Sequence, residues 1–271
     1  MSMIFPENRF PLFGIMLWGN RMSQIVIVTG GSRGIGAATA RLLGHEKASV
    51  VVNYRNAKAE ADAVVRDIAA SGGSAIAIQG DVGSEDDILR LFAETDRAFG
   101  TLTGLVNNAG ITGGTKRRIE TLTFAGIMET MRVNVAGQLL CAREAVKRMS
   151  TRHGGKGGAI VNLSSLGALT GSPGAFIDYA ASKGALDTAT LGLAAEVVGS
   201  GIRVNAVRPG LIDTEIHNDL GIPDRVARFG PKMPIGRAGT PQEVAEAIVW
   251  LLSDKASYVT GEFINVTGGA R

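Results

Sequence analysis

From Gln24 onward the chain alternates short runs rich in Val and Ile with longer amphipathic stretches. Ile25 to Thr29, Ser49 to Asn53, Ser74 to Gln79, Gly104 to Asn107, Ala159 to Leu163, Arg203 to Val207 and Phe263 to Val266 read as strands. Each is short, apolar and enriched in β-branched residues, which suits a strand buried on both faces. Between them, Ile35 to Glu46, Lys58 to Ala70, Glu85 to Phe99, Phe124 to Met149, Tyr179 to Val198 and Pro241 to Ser253 read as helices. Strands that alternate with helices cannot close through hairpins. They predict β-α-β crossovers and an α/β fold, one doubly wound parallel sheet with helices on both faces.

Chain length agrees with one such domain, since 271 residues can bury a full core. Residues 1–21 read as an extension outside it, either the product of an upstream start codon or a loosely held arm, with the domain running over 22–271. The apolar run Phe10 to Trp18 is too short to cross a bilayer and contains Pro11, so no membrane partner is expected. Lys and Arg number 28 against 25 Asp and Glu. That small excess is scattered and has few aromatics beside it, which argues against a nucleic-acid partner. Lys116-Arg117-Arg118 is the one tight basic cluster and reads as a solvated loop. A single cysteine, Cys141, excludes an internal disulfide, fits a cytoplasmic location and reads as a buried thiol. His45, His153 and His217 lack ligand-spaced companions, so no metal is expected.

Two local patterns carry chemistry. After the first strand comes Thr29-Gly30-Gly31-Ser32-Arg33-Gly34-Ile35-Gly36, where glycines let the chain bend and a ligand approach the backbone. The helix that follows offers unpaired N–H groups and a positive dipole end to a pyrophosphate. Further on, Tyr179 and Lys183 stand four residues apart, on one face of a helix. A phenol is a poor acid or base at neutral pH unless a neighbouring cation favours its ionised form, and Lys183 is a candidate for that cation. Tyr54 and Lys58 repeat the spacing but follow an apolar strand and open a polar stretch, so spacing alone is weak. The copy at Tyr179 differs by the hydroxyls of Ser164 and Ser165 upstream and by the glycine turn ahead of it.

Taken together, Thr29 to Gly36, Asp81-Val82, Asn107-Asn108-Ala109-Gly110, Asn134, Ser165, Tyr179 with Lys183, and Pro209-Gly210 resemble the short-chain dehydrogenase/reductase family in order and placement, from Gln24 to Ala270. The resemblance implies a seven-stranded Rossmann fold with NAD(P) lying across the carboxyl ends of the strands. It implies that Gly30, Ser32, Arg33, Gly34, Ile35 and Gly36 meet the pyrophosphate end, Asp81 and Val82 the adenine, and Asn107, Asn108, Ala109 and Gly110 the adenosine ribose side. Pro209, Gly210, Ile212 and Thr214 would hold the nicotinamide end. Lys47 stands where the family has a glycine closing the first helix, a left-handed position that costs a non-glycine residue on the order of 1 kcal/mol.

Cofactor choice rests on Asn53-Tyr54-Arg55 at the end of the second strand. No carboxylate stands there to repel a 2′-phosphate, and Arg33 with Arg55 can grip one, which favours NADP(H) over the alternative, NAD(H). By resemblance, Tyr179 exchanges the proton with a carbonyl or alcohol, Lys183 lowers the phenol's pKa and binds the nicotinamide ribose, and Ser165 orients the substrate oxygen. Asn134 would hold a water linking Lys183 to solvent. The resemblance assigns this role to Ser165 over Ser164, because Ser165 occupies the family's catalytic position at the end of the run Ile160 to Ser165, although the interval to Tyr179 is one residue longer than the family's usual.

These readings describe an oxidoreductase acting on a small-molecule carbonyl or alcohol. A 3-oxoacyl-thioester reductase and a sugar or polyol dehydrogenase both fit, and a dinucleotide-sensing binding protein is the non-enzymatic alternative. The irregular segment from Asp213 to Gly239 is expected to form the substrate loop. The small residues lining the helix from Tyr179, with Phe124 to Met149, are expected to make subunit contacts in a homodimer or homotetramer.

Overall fold

A computed structural model describes residues 24–115, 117–216 and 221–271, so the expected extension at 1–21 lies outside the described residues. Seven parallel strands, β1 (Ile25–Val28), β2 (Ser49–Tyr54), β3 (Ser74–Gln79), β4 (Gly104–Asn107), β5 (Gly158–Leu163), β6 (Ile202–Pro209) and β7 (Phe263–Val266), form one sheet in the order β3-β2-β1-β4-β5-β6-β7. The order reverses between β1 and β4. Crevices for ligands open at such a switch point, outside the carboxyl ends of the strands.

Register follows from the apolar alternation along each strand. Val26 and Val28 of β1 face one side of the sheet and Ile27 the other, and their partners Val50, Val51 and Val52 of β2 divide the same way. One face is covered by α1 (Gly34–His45), α2 (Lys58–Ala70) and a helix near the C-terminus, Pro241–Leu252, with Leu43, Val64 and Ile248 fully buried against the valines. The other is covered by α3 (Glu85–Phe99), by the long stretch from Phe124 to Met149 and by the helix that carries Tyr179, where Phe92, Cys141, Met149 and Val197 pack on Ile27, Leu105 and Ile160. Burial pushes the Cys141 thiol up to about 12, so it behaves as a small core hydrophobe.

Two expected elements are reshaped. The helix predicted over 124–149 is continuous in path but changes pitch: α4 (Phe124–Met131) passes through a π-helical segment, Arg132–Gly137, into α5 (Gln138–Met149). A short helix, α6 (Gly167–Thr170), sits between β5 and α7 (Ile177–Val197). The segment after β6 also contains a helix, α8 (Arg225–Phe229). Its base is tied where Asp213 N–H donates to Gly239 O (2.8 Å) and Gly239 N–H to Leu211 O (2.9 Å). The cap at Lys47 is left-handed as expected, with φ at 68°.

The helix Pro241–Leu252, α9, starts on a full capping box: Thr240 Oγ1 accepts from Glu243 N–H, and Glu243 Oε2 accepts from Thr240 N–H at 2.8 Å. Removing the hydroxyl in Thr240→Ala is expected to lower stability by about 1 kcal/mol with an unchanged denaturant slope, read from the urea midpoint.

Candidate active site

The glycine turn leaves β1 under tight steric control. Gly30 and Gly34 adopt positive φ of 61° and 55°. A Cβ on Gly36 would lie 2.3 Å from Gly30 O and 2.5 Å from Asn108 Nδ2, so only glycine lets the helix pack this close to the turn. Three polar side chains hold the turn in place. Thr29 Oγ1 accepts from the N–H groups of Asn108 and Ala109, both at 3.0 Å. Asn108 Nδ2 donates to Thr29 O (2.8 Å) and Gly30 O (2.9 Å). Asn53 Oδ1 accepts from Gly30 N–H (3.3 Å), while its Nδ2 donates to Ile78 O and Gly80 O.

Helix α1 begins with no side-chain cap and no acidic residue in its first turn. Its first N–H groups therefore point into the crevice with a positive dipole end, an environment that fits a pyrophosphate. The crevice is a cleft of about 780 Å³. Its glycine-turn side is walled by Ser32, Arg33, Ile35, Arg55, Asp81 and Val82 and the side of the Tyr179 helix by Ser165, Tyr179, Lys183, Pro209, Gly210 and Ile212, while Thr214 packs near the turn, with Cγ2 3.3 Å from a Cβ position on Gly34. Ala109 and Gly110 stand between. The residues present thus fit a nicotinamide dinucleotide laid along the strand ends.

Some expected contacts are spent elsewhere. Asn107 does not line the cleft: it is fully buried and its Nδ2 donates to Asn162 Oδ1 (3.0 Å) and Gln138 O (3.1 Å). Strand alternation explains this, because Asn107 is the last residue of β4 and points into the sheet's covering layer while Asn108 begins the turn. Asn53 and Tyr54 are buried but line the cleft, and the Asn53 carboxamide also braces the glycine turn. Of the trio at the end of β2, Arg55 is the exposed one. Asp81 lines the cleft, yet its Oδ1 accepts from Gly83 N–H (2.8 Å) and its Oδ2 pairs with Arg132 (3.2 Å). Glu60, absent from the expected set, lines the same end.

Tyr179 and Lys183 lie in the first turns of α7. The Ser165 side chain stands close enough to Tyr179 to act against the rise of the phenol's pKa, and Ser165 Oγ accepts from Gly167 N–H at 3.0 Å. Just past the end of β5, Ser164 is 3% exposed and donates to Lys183 O. Lys183 Nζ donates to Leu163 O (2.6 Å) and sits 5.8 Å from the centre of the Tyr179 ring. The other pair with this spacing is split by the fold: Tyr54 ends β2, and Lys58 opens α2 and pairs with Asp62.

Asn134 lies in the π segment and is wholly buried. Its Oδ1 accepts from Ile111 N–H, and its Nδ2 donates to Ile111 O and to Ser182 Oγ, at 2.8, 2.8 and 3.0 Å. Its carboxamide thus bonds three protein groups, two on Ile111 and one on Ser182. It reaches toward Lys183 across Gly110, where a Cβ would lie 3.3 Å from Asn134 Oδ1 and 3.5 Å from Lys183 Nζ.

Electrostatics in the protein alone depart from the expected lowering of the phenol's pKa. Burial pushes Tyr179 above its usual value, with the Ser165 hydrogen bond and the Arg225 charge opposing the shift. The Lys183 ammonium is directed at Leu163 O and not at the phenol. Burial pulls Lys183 itself down to about 8, against the Asp187 carboxylate. It is still mostly charged at neutral pH.

Two arginines went unrecognised in the sequence. Arg117, read as solvated, pairs with buried Asp178 and donates to Thr112 O (3.0 Å), and its N–H donates to Ala175 O (2.9 Å). It ties the segment after β4 to the start of α7, one residue before Tyr179. Arg118 is exposed, and Lys116 lies outside the described residues. Arg225 of α8 lines the cleft beside Tyr179. Neither pairing carries a local sequence signal. Among the described residues, no cluster of His, Cys, Asp and Glu could hold a metal, and no helix is long and apolar enough to cross a membrane.

The family model described as enoyl-(acyl carrier protein) reductase matches residues 30–271. An uncharacterised oxidoreductase of Escherichia coli is 52% identical over 90% of this chain and 99% of its own length. An uncharacterised oxidoreductase of Methylorubrum extorquens is 41% identical over 92% and 98%, respectively. A 3-oxoacyl-[acyl-carrier-protein] reductase of Synechocystis is 38% identical over 91% of this chain and 96% of its own. The chain belongs to the short-chain dehydrogenase/reductase family and is an NAD(P)-dependent oxidoreductase of a small-molecule substrate.

Breaking the Arg117–Asp178 pair in Arg117→Met leaves a buried carboxylate without its cation. The expected cost is roughly 3 kcal/mol of stability, measured by urea unfolding.

Proposed function

We propose that this protein is an NADPH-dependent ketoreductase acting on 3-oxoacyl thioesters. The observation that carries the reading is the convergence of Ser165, Tyr179 and Lys183 on one wall of a dinucleotide-shaped cleft. The likeness to 3-oxoacyl-[acyl-carrier-protein] reductases of Synechocystis and Staphylococcus aureus supports the substrate class.

The nicotinamide cofactor supplies the hydride. Tyr179 donates its phenolic proton to the substrate oxygen, and Ser165 hydrogen-bonds that oxygen as charge develops on it. Lys183 stabilises the phenolate that remains and binds the nicotinamide ribose hydroxyls. Asn134 ties the π segment and Ile111 to Ser182, next to Lys183. Ser32, Gly34, Ile35 and Gly36 would hold the cofactor's pyrophosphate through backbone N–H groups, Asp81 and Val82 its adenine, and Asn108 to Gly110 its adenosine ribose side. Pro209, Gly210, Ile212 and Thr214 shape the nicotinamide end, and 213–239 forms the substrate loop. Arg33 and Arg55 grip the 2′-phosphate.

A raised phenol pKa has a clear sign. The proton donor is present at neutral pH and is lost as pH rises through that pKa, so reduction declines at alkaline pH while alcohol oxidation climbs. Tyr179→Phe is expected to lower turnover by about a thousandfold with dinucleotide affinity retained, measured by steady-state assay and fluorescence titration. Turnover of sugars or polyols alone, with 3-oxoacyl thioesters inert, overturns the substrate assignment.

The wild type is expected to favour NADPH over NADH. Arg55→Ala is expected to raise the KM for NADPH roughly tenfold or more with little change for NADH, since a charge-assisted contact contributes about 1.5–3 kcal/mol. We propose further that the protein works in the cytoplasm as a homodimer or homotetramer, built on α4, α5 and α7. Phe124, Met128, Leu139 and Leu191 are exposed on these helices, and a Cβ at Gly184 or Gly192 would meet nothing within 4 Å. A monomer by light scattering overturns that arrangement.

A further inference from the structure

Beyond Tyr179 the cleft is mostly apolar, with Phe176, Leu211, Ile216 and Met233 among its walls. One cation stands among them. Arg225, the first residue of α8, comes from the loop after β6, yet its guanidinium lies 5.9 Å from the centre of the Phe176 ring and close enough to Tyr179 for each charge to influence the other. Phe176 immediately precedes α7, so the arginine is held against the start of the helix that carries the phenol.

Apart from the Phe176 ring and the Tyr179 phenol, its surroundings offer the charge no anionic partner among the described residues. Arg225 is half-buried, and no carboxylate among the described residues forms an ion pair with it. The other arginines near the site are engaged: Arg117 with Asp178, Arg132 with Asp81 and Glu129, and Arg208 with Asp187. None of the cleft's carboxylates pairs with it: Asp81 is bonded to Arg132, Glu60 lines the cleft near the end of β2, and Glu215 Oε2 lies 3.8 Å from a Cβ position on Gly34. A guanidinium drawn partly out of water presents a planar fork of donors that suits a carboxylate or acyl oxygen better than it suits an apolar wall.

We propose that Arg225 is a specificity-determining residue that binds a second oxygen of the substrate, an acyl or carboxylate oxygen close along the carbon chain to the carbonyl reduced at Tyr179. The idea rests on Tyr179 being the proton donor. A substrate held at two points, its reacting oxygen by Ser165 and Tyr179 and its second oxygen by Arg225, presents one face of the carbonyl, so Arg225 contributes to orientation as well as affinity. A thioester carbonyl and a free carboxylate both supply the required acceptor, and a plain ketone supplies none.

The test compares the intact wild-type enzyme with Arg225→Met and Arg225→Lys on acetoacetyl-coenzyme A, acetoacetate and 2-pentanone, with NADPH. The expected result is that Arg225→Met lowers the ratio of kcat/KM for a β-oxo substrate over 2-pentanone by about a hundredfold, and that Arg225→Lys restores part of it. A larger loss with acetoacetate than with the thioester identifies the free acid as the preferred partner; the reverse identifies the acyl form. An equal loss on all three, accompanied by a shifted pH profile, overturns the proposal and places Arg225 as an electrostatic neighbour of Tyr179. No loss on any also overturns it. If the wild type reduces 2-pentanone but neither β-oxo compound, the thioester reading fails with it; if it reduces the β-oxo compounds and Arg225→Met leaves the ratio unchanged, only the role of Arg225 fails.

Discussion

A buried chain of side-chain amides sets the geometry on which the site depends. Asn107 and Asn162 are paired across β4 and β5, and the first donates to the second at 3.0 Å. Asn162 passes the chain to Thr190 of α7 at 2.9 Å, and Asn107 also reaches Gln138 O at the start of α5. Gln138 in turn donates to Ala109 O at 2.8 Å. Amides away from water are costly unless paired, and a slip in strand register would break several of these bonds at once. The network therefore binds two strands and two helices into one arrangement, directly beneath the wall that carries Ser165, Tyr179 and Lys183.

The π segment is a consequence of the same economy. Within that segment Asn134 bonds the N–H and C=O of Ile111 and the Ser182 hydroxyl together. Burial then sets the electrostatics. Removing Tyr179 and Lys183 from water moves both toward their neutral forms, the phenol up and the ammonium down. Neighbouring charges and hydrogen bonds oppose these shifts: Ser165 and Arg225 at the phenol, Asp187 at the ammonium.

Periodicity made most of the scaffold readable. Runs such as Ser49 to Asn53 and Ser74 to Gln79 carry enough β-branched and apolar residues to announce strands, and Thr240-Pro241-Gln242-Glu243 announces a helix start by local hydrogen-bond chemistry. The glycine turn was equally legible, because close packing at Gly36 admits no Cβ. What escaped were matters of direction and partner. Asn107 and Asn108 are adjacent and identical in type, yet one faces the core and the other the turn. Arg117 stands in a basic triplet that looks solvated, but Asp178, its partner, lies 61 positions away. Arg225 sits in a stretch without periodicity, and its place beside Tyr179 depends on how that segment folds back over the cleft.

The sequence by itself determined the order of strands and helices, the doubly wound parallel sheet, the glycine turn and the spacing of Tyr179 and Lys183, because all of these arise from local sterics and repeating patterns of apolar residues. Only the tertiary structure decided that Asn53, Asn107 and Asn134 spend their amides on the protein, and which arginines stand at the site. Those outcomes depend on burial and on partners distant in sequence, and neither is encoded in a residue's neighbours.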